Sequence, residues 1–219
     1  MTVTKITNLE FGKMVQAAAA KLNAQAEFIN SLNVFPVPDG DTGTNMSMSM
    51  ASGAKYEREA TSTNVGDLAQ ALAKGLLMGA RGNSGVILSQ IFRGFAKGCA
   101  DKQELSAKDF VDAYANGAQT AYKAVMKPTE GTILTVVRES AQAGLNEVKA
   151  GNDDLVDIME KIYDASEEAL KKTPDLLPVL KEVGVVDSGG QGLVFVLQAF
   201  YESLSGKVAE NDLVKPDNA

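Results

Sequence analysis

Two aspartates lie two residues apart in the segment Asn33–Asn45 of this chain. Two prolines stiffen the approach to them, and the glycine between them permits a tight turn, so this segment is predicted to be an ordered loop whose two carboxylates converge. Converging carboxylates repel one another unless a cation lies between them. A hard divalent ion such as Mg²⁺, carried by a nucleotide, is therefore the ligand expected between Asp39 and Asp41. The alternative is an Asx-type turn that caps the next helix at Thr42 or Thr44.

The residue types that are missing narrow the chemistry further. The chain has no histidine and a single cysteine, Cys99, which we expect at a helix end without a chemical role. A Ser-His or Cys-His nucleophile and an imidazole or thiolate zinc site are therefore excluded. Carboxylates, hydroxyls, amides, Lys, Arg, Tyr, backbone groups and a bound metal remain. This set suits phosphoryl transfer, in which catalysis is mostly positioning and charge neutralisation.

Length and composition indicate one helical domain in the cytoplasm. The 219 residues are 45% hydrophobic and rich in Ala, Leu and Val, which favours helices over sheets. No run of about 18 apolar residues indicates a transmembrane segment, and the N-terminus lacks the apolar core of a signal peptide. A single cysteine fits a reducing compartment. The net charge of −7 argues against a nucleic-acid partner, since phosphate contacts need clustered Lys and Arg.

Apolar residues recur with helical periodicity through nearly the whole chain. The pattern predicts eight helices at about 9–32, 44–59, 65–79, 84–98, 107–125, 132–149, 153–172 and 190–205. The stretch Leu193–Leu197 is apolar on all sides and has a buried strand as its alternative. The segment 206–219 is polar and reads as a tail or linker after a domain of residues 1–205.

Four of the predicted connections are rich in Gly, Asp, Ser and Thr, whereas the others are ordinary polar linkers. If the helices alternate up and down, connections of the same parity meet at one end of the bundle, and these four are of the same parity. Helix N-termini bind anions through their free N–H groups, so this end is predicted to hold a nucleotide. The binding residues expected there are Thr42, Gly43, Thr44, Asn45, Gly82, Asn83, Ser84, Gly85, Thr132, Asp187 and Gly189.

Each of these loops also has a plain structural interpretation. Ser84 is expected to cap the fourth helix, and Asp187 has the cap of the last helix as its alternative role. Thr132 is interpreted both as a cap of the sixth helix and as a group facing the nucleotide. Arg81 is expected to pair with a phosphate or with an acidic residue of the same end, and we assign it a catalytic role together with the two aspartates.

The common nucleotide-binding motifs are absent, but four segments carry a specific resemblance. The segments Asn33–Asn45, Gly79–Gln90, Pro128–Thr135 and Val183–Gly192 closely resemble the nucleotide-binding domain of bacterial fatty acid kinases. That domain is related to the ADP-binding L subunit of dihydroxyacetone kinase. The resemblance implies an all-α fold, an eight-helix antiparallel up-and-down barrel with ATP and two Mg²⁺ ions at one rim.

The resemblance also implies roles for individual residues. Asp39 and Asp41 match two metal ligands of the family, and Asn33 stands near the position of a third ligand that is an aspartate in the dihydroxyacetone kinase branch. Ser84 matches the serine that lies near the β-phosphate.

The implied function is transfer of a phosphoryl group from MgATP to the carboxylate of a fatty acid held by a separate binding protein. Such a carboxylate is already ionised at neutral pH, so no general base is needed. The family usually carries further domains, so we expect the enzyme to be incomplete without a C-terminal region, through which it would form a homodimer. Nothing in the sequence resembles an acyl tunnel or a docking surface. The alternatives are an ADP-binding subunit of a dihydroxyacetone-type kinase and a nucleotide-sensing module without turnover.

Overall fold

The computed structural model describes residues 2–207, which form nine helices and two very short strands. In chain order these elements are β1 (Lys5–Ile6), α1 (Asn8–Ser31), α2 (Thr42–Glu59), α3 (Val65–Gly79), α4 (Gly82–Gly98), β2 (Leu105–Ser106), α5 (Ala107–Ala124), α6 (Ile133–Lys149), α7 (Leu155–Leu176), α8 (Pro178–Val183) and α9 (Ser188–Ser205). Apart from Gly206 and Lys207, the predicted tail lies outside the described residues, so the domain boundary stays a prediction.

The eight long helices form a closed antiparallel barrel. Each packs against the next one along the chain, α7 packs against α9, and α9 returns to α1. The antiparallel direction is visible where α4 meets α5, since Gly94 lies against Asn116 and Gly98, one turn later, lies against Ala113. The starts of α2, α4, α6 and α9 therefore lie at one end of the barrel, together with the ends of α1, α3, α5 and α7. We call this end the rim, and the all-α prediction is confirmed.

Helix α7 departs most from its predicted bounds. It runs four residues further than predicted, through Pro174, and is followed by the short helix α8, which the sequence pattern did not indicate. A proline lacks the N–H that would bond the carbonyl of Leu170, one turn earlier. The hydroxyl of Thr173 donates to that carbonyl at 2.7 Å, so the helix continues without an unsatisfied buried acceptor.

Among residues 2–207, strand structure is confined to the two short segments β1 and β2. Leu193–Leu197 lies within α9, so the helical interpretation is confirmed over the strand. Strands β1 and β2 pair antiparallel through two residues each, at the end of the barrel opposite the rim. Strands this short leave no alternating pattern in a sequence, which is why they were not predicted.

Buried aromatic rings and the thiol of Cys99 lie in the core away from the rim. Phe95 stacks on Phe11 at 6.2 Å between centroids and meets Phe110 edge to face at 5.6 Å. Cys99 follows the last residue of α4 and is fully buried, and this burial raises the pKa of its thiol to about 12. The thiolate that reacts with oxidants and metals is therefore scarce, which agrees with the absence of a chemical role for this residue.

Candidate functional site at the barrel rim

Asn33 organises the double-aspartate loop between α1 and α2. Its side chain is buried; the amide Nδ2 donates to the carbonyl of Val37 at 3.1 Å, and Oδ1 accepts from the N–H of Asp41 at 3.2 Å. The peptide between Phe35 and Pro36 is cis, and Gly40 has the positive φ of 68° that favours glycine. The two hydrogen bonds of Asn33 tie the start of the loop to its end, and the neutral amide holds the backbone of Asp41 in place.

The carboxylates of Asp39 and Asp41 take no part in this network. Both residues are exposed, and neither carboxylate has a hydrogen-bond or ion-pair partner among residues 2–207. Asp41 occupies the N-cap position of α2, yet its side chain makes no cap hydrogen bond. The Asx-turn alternative, in which this aspartate caps the helix, therefore does not describe the loop.

A residue of α1 takes over the capping of α2. Asn30 accepts from the backbone N–H of Thr44 at 3.0 Å and donates its amide to the Thr44 hydroxyl at 3.0 Å. The N–H groups of Thr42 and Gly43 have no acceptor among the described residues. The first turn of α2 therefore offers two free backbone donors beside the unpaired carboxylates.

The start of α4 is uncapped, which corrects one prediction. Ser84 was expected to be the cap, but the helix begins at Gly82 and places Ser84 inside its first turn. The N-cap is Arg81, whose side chain makes no cap hydrogen bond and has no ion-pair partner in the described part of the chain. An N-cap needs a short oxygen-bearing side chain, so the first N–H groups of α4 face the rim without an acceptor from residues 2–207.

Close contacts hold α4 beside α2. Gly82 has a φ of 65°, and a Cβ there would lie 2.5 Å from the Nδ2 atom of Asn45. A Cβ on Gly85 would lie 2.6 Å from Oγ of Ser49, and one on Gly43 would lie 2.0 Å from the carbonyl oxygen of Ala26 in α1. These glycines thus allow close packing between helices, a role that the sequence interpretation gave only to contact with a ligand.

The starts of α6 and α9, by contrast, are capped. Thr132 accepts from the N–H of Leu134 at 3.3 Å, as expected for a cap of α6. Asp187 accepts from the N–H of Gly190 at 2.8 Å and caps α9, which is the structural alternative foreseen for it. A hydrogen bond of 3.1 Å between the hydroxyls of Ser188 and Thr42 then joins the start of α9 to the start of α2.

Asp187 is the most strongly perturbed acid of the rim. Its burial raises the pKa of the carboxyl from 3.8 to about 6, although the backbone N–H groups of Gly190 and Ile133 act to lower it. Since Ile133 is the first residue of α6, this carboxylate links the starts of α6 and α9. Gly189 has room for a methyl group, because an added Cβ would meet no atom closer than 3.5 Å.

The arrangement brings the predicted residues to one end and sorts them into two groups. The open group consists of the double-aspartate loop and the starts of α2 and α4, whose own N-cap side chains make no cap hydrogen bond. It comprises Asn33, Asp39, Asp41, Thr42, Gly43, Thr44, Asn45, Arg81, Gly82, Asn83, Ser84 and Gly85. The closed group is Thr132, Asp187 and Gly189, at helix starts whose caps are occupied. Asn30 was not predicted as a member of the rim, because an interhelical partner has no signal in the local sequence, and Ser188 lies in a predicted rim loop but was not named among the binding residues.

The acids of the rim do not form a complete metal cage. Among residues 2–207 no group of three or more His, Cys, Asp or Glu side chains is arranged to hold a metal ion. Two carboxylates with a neutral amide nearby match the sparse protein coordination of Mg²⁺, which keeps waters and takes further ligands from a substrate phosphate. The donor set thus fits Mg²⁺ that arrives together with a nucleotide. It does not fit a resident metal held by protein alone.

The fold and this rim define a class of all-helical barrels with free helix N–H groups at one end, and comparison with known proteins gives the family. Residues 36–202 match the model of the DAK2 domain, and the chain belongs to the DAK2 domain family. It is 49% identical over 215 residues to an uncharacterized protein of Staphylococcus epidermidis and 50% identical over 216 residues to an uncharacterized protein of Staphylococcus aureus strain USA300. Each alignment covers 98% of this chain and 39% of the relative, so this chain spans well under half of those proteins.

Solved structures with the same fold include the dihydroxyacetone kinase of C. freundii. Its native form aligns with a TM-score of 0.64 at 19% identity, over 88% of this chain and 34% of that one. Its complex with AMP-PNP and Mg²⁺ aligns with the same TM-score and identity, over 93% of this chain and 35% of that one. At this identity the similarity establishes the fold. No helix among the described residues is both long and apolar enough to cross a membrane.

Proposed function

We propose that this chain is the nucleotide-binding domain of an ATP-dependent kinase, with MgATP bound at the rim. The observation that carries the proposal is the pairing of free backbone N–H groups at the starts of α2 and α4 with two exposed carboxylates that have no partner within residues 2–207. Free N–H groups at a helix start favour phosphate, and unpaired carboxylates favour a divalent cation. Together they match the two charged components of MgATP.

The metal would be held by the double-aspartate loop. Asp39 and Asp41 supply carboxylate oxygens, and Asn33 has one lone pair of Oδ1 in use by the N–H of Asp41, which leaves the other for a metal or its water. Mg²⁺ would neutralise the phosphate charge that develops during transfer. We propose that two ions bind, as the resemblance implies, and a titration of this chain with Mg²⁺ and ATP counts them.

The phosphates would lie at the starts of α2 and α4. Thr42 and Gly43 offer free N–H groups there, Ser84 adds a hydroxyl in the first turn of α4, and Arg81 adds a positive charge at its N-cap. At the start of α6 the N–H groups of Ile133 and Leu134 donate to Asp187 and Thr132, and at the start of α9 the N–H of Gly190 donates to Asp187. We therefore assign the closed group a supporting role, in which it fixes the geometry of the rim.

For the acceptor we propose a fatty acid carboxylate presented by a separate carrier protein. One carboxylate oxygen attacks the γ-phosphorus as the bond from phosphorus to the β–γ bridging oxygen breaks, and ADP departs with that electron pair. The acceptor is already ionised, so the reaction needs no proton acceptor from a chain without histidine. The resemblance of the four rim segments to fatty acid kinases supports this choice.

Exposed apolar side chains at the rim support the need for a docked partner. Ten large apolar side chains are exposed within residues 2–207, and nine lie within about two turns of the rim or in its connections. These nine are Phe28, Val37, Met48, Leu77, Met78, Val86, Met126, Leu176 and Val183; the tenth, Leu9, lies at the opposite end. Exposed apolar side chains at one end of the fold favour an interaction site there, and no sequence pattern had indicated this one.

A second candidate is an ADP-binding subunit of a dihydroxyacetone-type kinase, which the structural similarity to the C. freundii enzyme favours. In that case ADP would stay bound and be rephosphorylated by a phosphocarrier protein. A module that senses nucleotide without turnover is the third.

One experiment separates the three. The chain, alone and together with a C-terminal region of a longer relative, is incubated with radiolabelled ATP, a lipid-loaded carrier and hydroxylamine, which traps acyl phosphate as a hydroxamate. Hydroxamate that requires both carrier and C-terminal region supports the fatty acid kinase. ADP that resists exchange supports the second candidate, and exchangeable binding without any turnover supports the third.

A further inference from the structure

A second charged feature lies on the outer wall of the barrel, along the contact between α4 and α5. Helices α4 and α5 enclose a groove of about 620 Å³ between Gln90 at one end and Gly98 at the other. Its lining includes three exposed cations, Arg93, Lys97 and Lys123. Neither the proposed metal ligands nor the helix starts of the rim contribute to it.

The floor of this groove is built from backbone. A Cβ on Gly94 would lie 2.6 Å from the carbonyl oxygen of Asn116, and one on Gly117 would lie 2.5 Å from the carbonyl oxygen of Ile91. The backbones of the two helices therefore lie close together, with the Thr120 hydroxyl beside Gly94. Asn116 donates its amide to the carbonyl of Gly94 at 2.7 Å, which fixes the crossing. The concave surface is consequently a rigid part of the fold.

The three cations lack an acidic partner among residues 2–207. None of them forms an ion pair within this part of the chain, and Arg93 reaches only the amide oxygen of Gln90, at 3.4 Å. Helix α4 contains no Asp or Glu, and the acids of α5 are confined to its first two turns. There, Asp112 already pairs with Lys108. In a chain with a net charge of −7, this is a local concentration of unbalanced positive charge.

We propose that the α4–α5 groove is a docking site for an acidic segment of a partner protein. Charge complementarity steers such encounters and fixes their register. The polar floor, with Gln90, Asn116 and Thr120 at its walls, suits a carboxylate-bearing segment better than an apolar one. Three cations are fewer than the cluster of four to eight that an anionic membrane requires, and none of the exposed large apolar side chains of residues 2–207 lines the groove for insertion. Three cations would also make fewer phosphate contacts than a nucleic-acid-binding protein makes.

The test uses a fluorescent peptide of about 20 glutamates as the probe and measures anisotropy at low ionic strength. The variant Arg93→Gln/Lys97→Gln/Lys123→Gln should bind the peptide about tenfold more weakly than the unmodified chain, since each exposed ion pair contributes modestly. The control Lys55→Gln/Lys74→Gln/Lys149→Gln removes the same charge from exposed sites elsewhere and should retain the affinity. Added salt should weaken the binding of the peptide to the unmodified chain more than its binding to the groove variant.

The outcome does not depend on the nucleotide proposal, because no residue assigned to the metal or the phosphates is altered. If the groove and control variants lose the same affinity for the peptide, the effect is one of net charge and the inference is overturned. An unchanged affinity in the groove variant would overturn it as well. Vesicles with anionic lipid and an oligothymidylate are run alongside. Binding of either one that depends on the groove, without binding of the peptide, would mean that the class of partner is wrong. Circular dichroism verifies that both variants are folded.

Discussion

The buried carboxyl of Asp187 makes a quantitative prediction about stability. Its pKa is raised from 3.8 to about 6 in the folded chain, mainly by burial. The folded state therefore holds this proton more tightly than the unfolded state does. The stabilisation is fully present below pH 3.8 and is lost as pH rises through about 6. A shift of about two units corresponds to roughly 3 kcal/mol of unfolding free energy over this window.

The substitution Asp187→Asn isolates this contribution. Asparagine keeps an oxygen that can accept from the N–H of Gly190, but it does not titrate. The unfolding free energy of the unmodified chain minus that of the variant should fall by roughly 2–3 kcal/mol between about pH 4.5 and 7.5. Other titrating groups cancel in this difference, so it reports on Asp187 alone.

Urea unfolding at intervals of about half a pH unit, without nucleotide or metal, measures the difference. The matched control is Asp154→Asn, which alters another aspartate cap, that of α7, at the opposite end of the barrel. If the curves of the unmodified chain and Asp187→Asn run parallel over this pH range, the carboxyl is not perturbed by burial. The link between the starts of α6 and α9 would then need another explanation.

Further predictions concern packing, the open helix starts and the thiol. Gly43→Ala should destabilise the fold by at least about 2 kcal/mol in thermal or urea unfolding, because its Cβ would lie 2.0 Å from the Ala26 carbonyl oxygen, whereas Gly189→Ala should fold normally. Ser84→Ala should leave the melting temperature unchanged, since Ser84 is not a cap, yet weaken MgATP in calorimetry; a lower melting temperature with unchanged affinity would reverse that assignment. Cys99 should react with a thiol reagent only as fast as the chain unfolds, and rapid labelling of the folded chain would contradict its burial.

Much of the fold was predictable because helical periodicity is a local signal. The bounds of α3 were predicted without error, and the parity of the connections alone was enough to predict that the chemical loops meet at one end. The longer α7 was not predictable in the same way. Its continuation through Pro174 depends on the hydroxyl of Thr173, which replaces the missing N–H, and a proline alone is evidence for a helix end.

The candidate site was predicted in its residues but less well in their roles. A serine before an apolar helix favours a cap, and only the three-dimensional path shows that α4 begins two residues earlier, at Gly82. Asn30 caps α2 from a different helix, across 14 residues of sequence, which no local pattern reveals. The glycines of the rim presented the same difficulty, because close helix packing and close ligand approach both require a missing Cβ.

Calorimetric titration of MgATP into the unmodified chain, Asp39→Ala and Asp41→Ala is the most direct test of the central claim. Each variant should lose affinity by at least about 100-fold and be no less stable than the unmodified chain without ligand, because the deleted carboxylate has no partner to lose among residues 2–207. Chelation of Mg²⁺ should weaken the binding of ATP to the unmodified chain to a similar degree. Asp153→Ala, which alters an acid at the opposite end, should bind normally. If both aspartate variants bind MgATP as tightly as the unmodified chain, the rim is not a metal–nucleotide site.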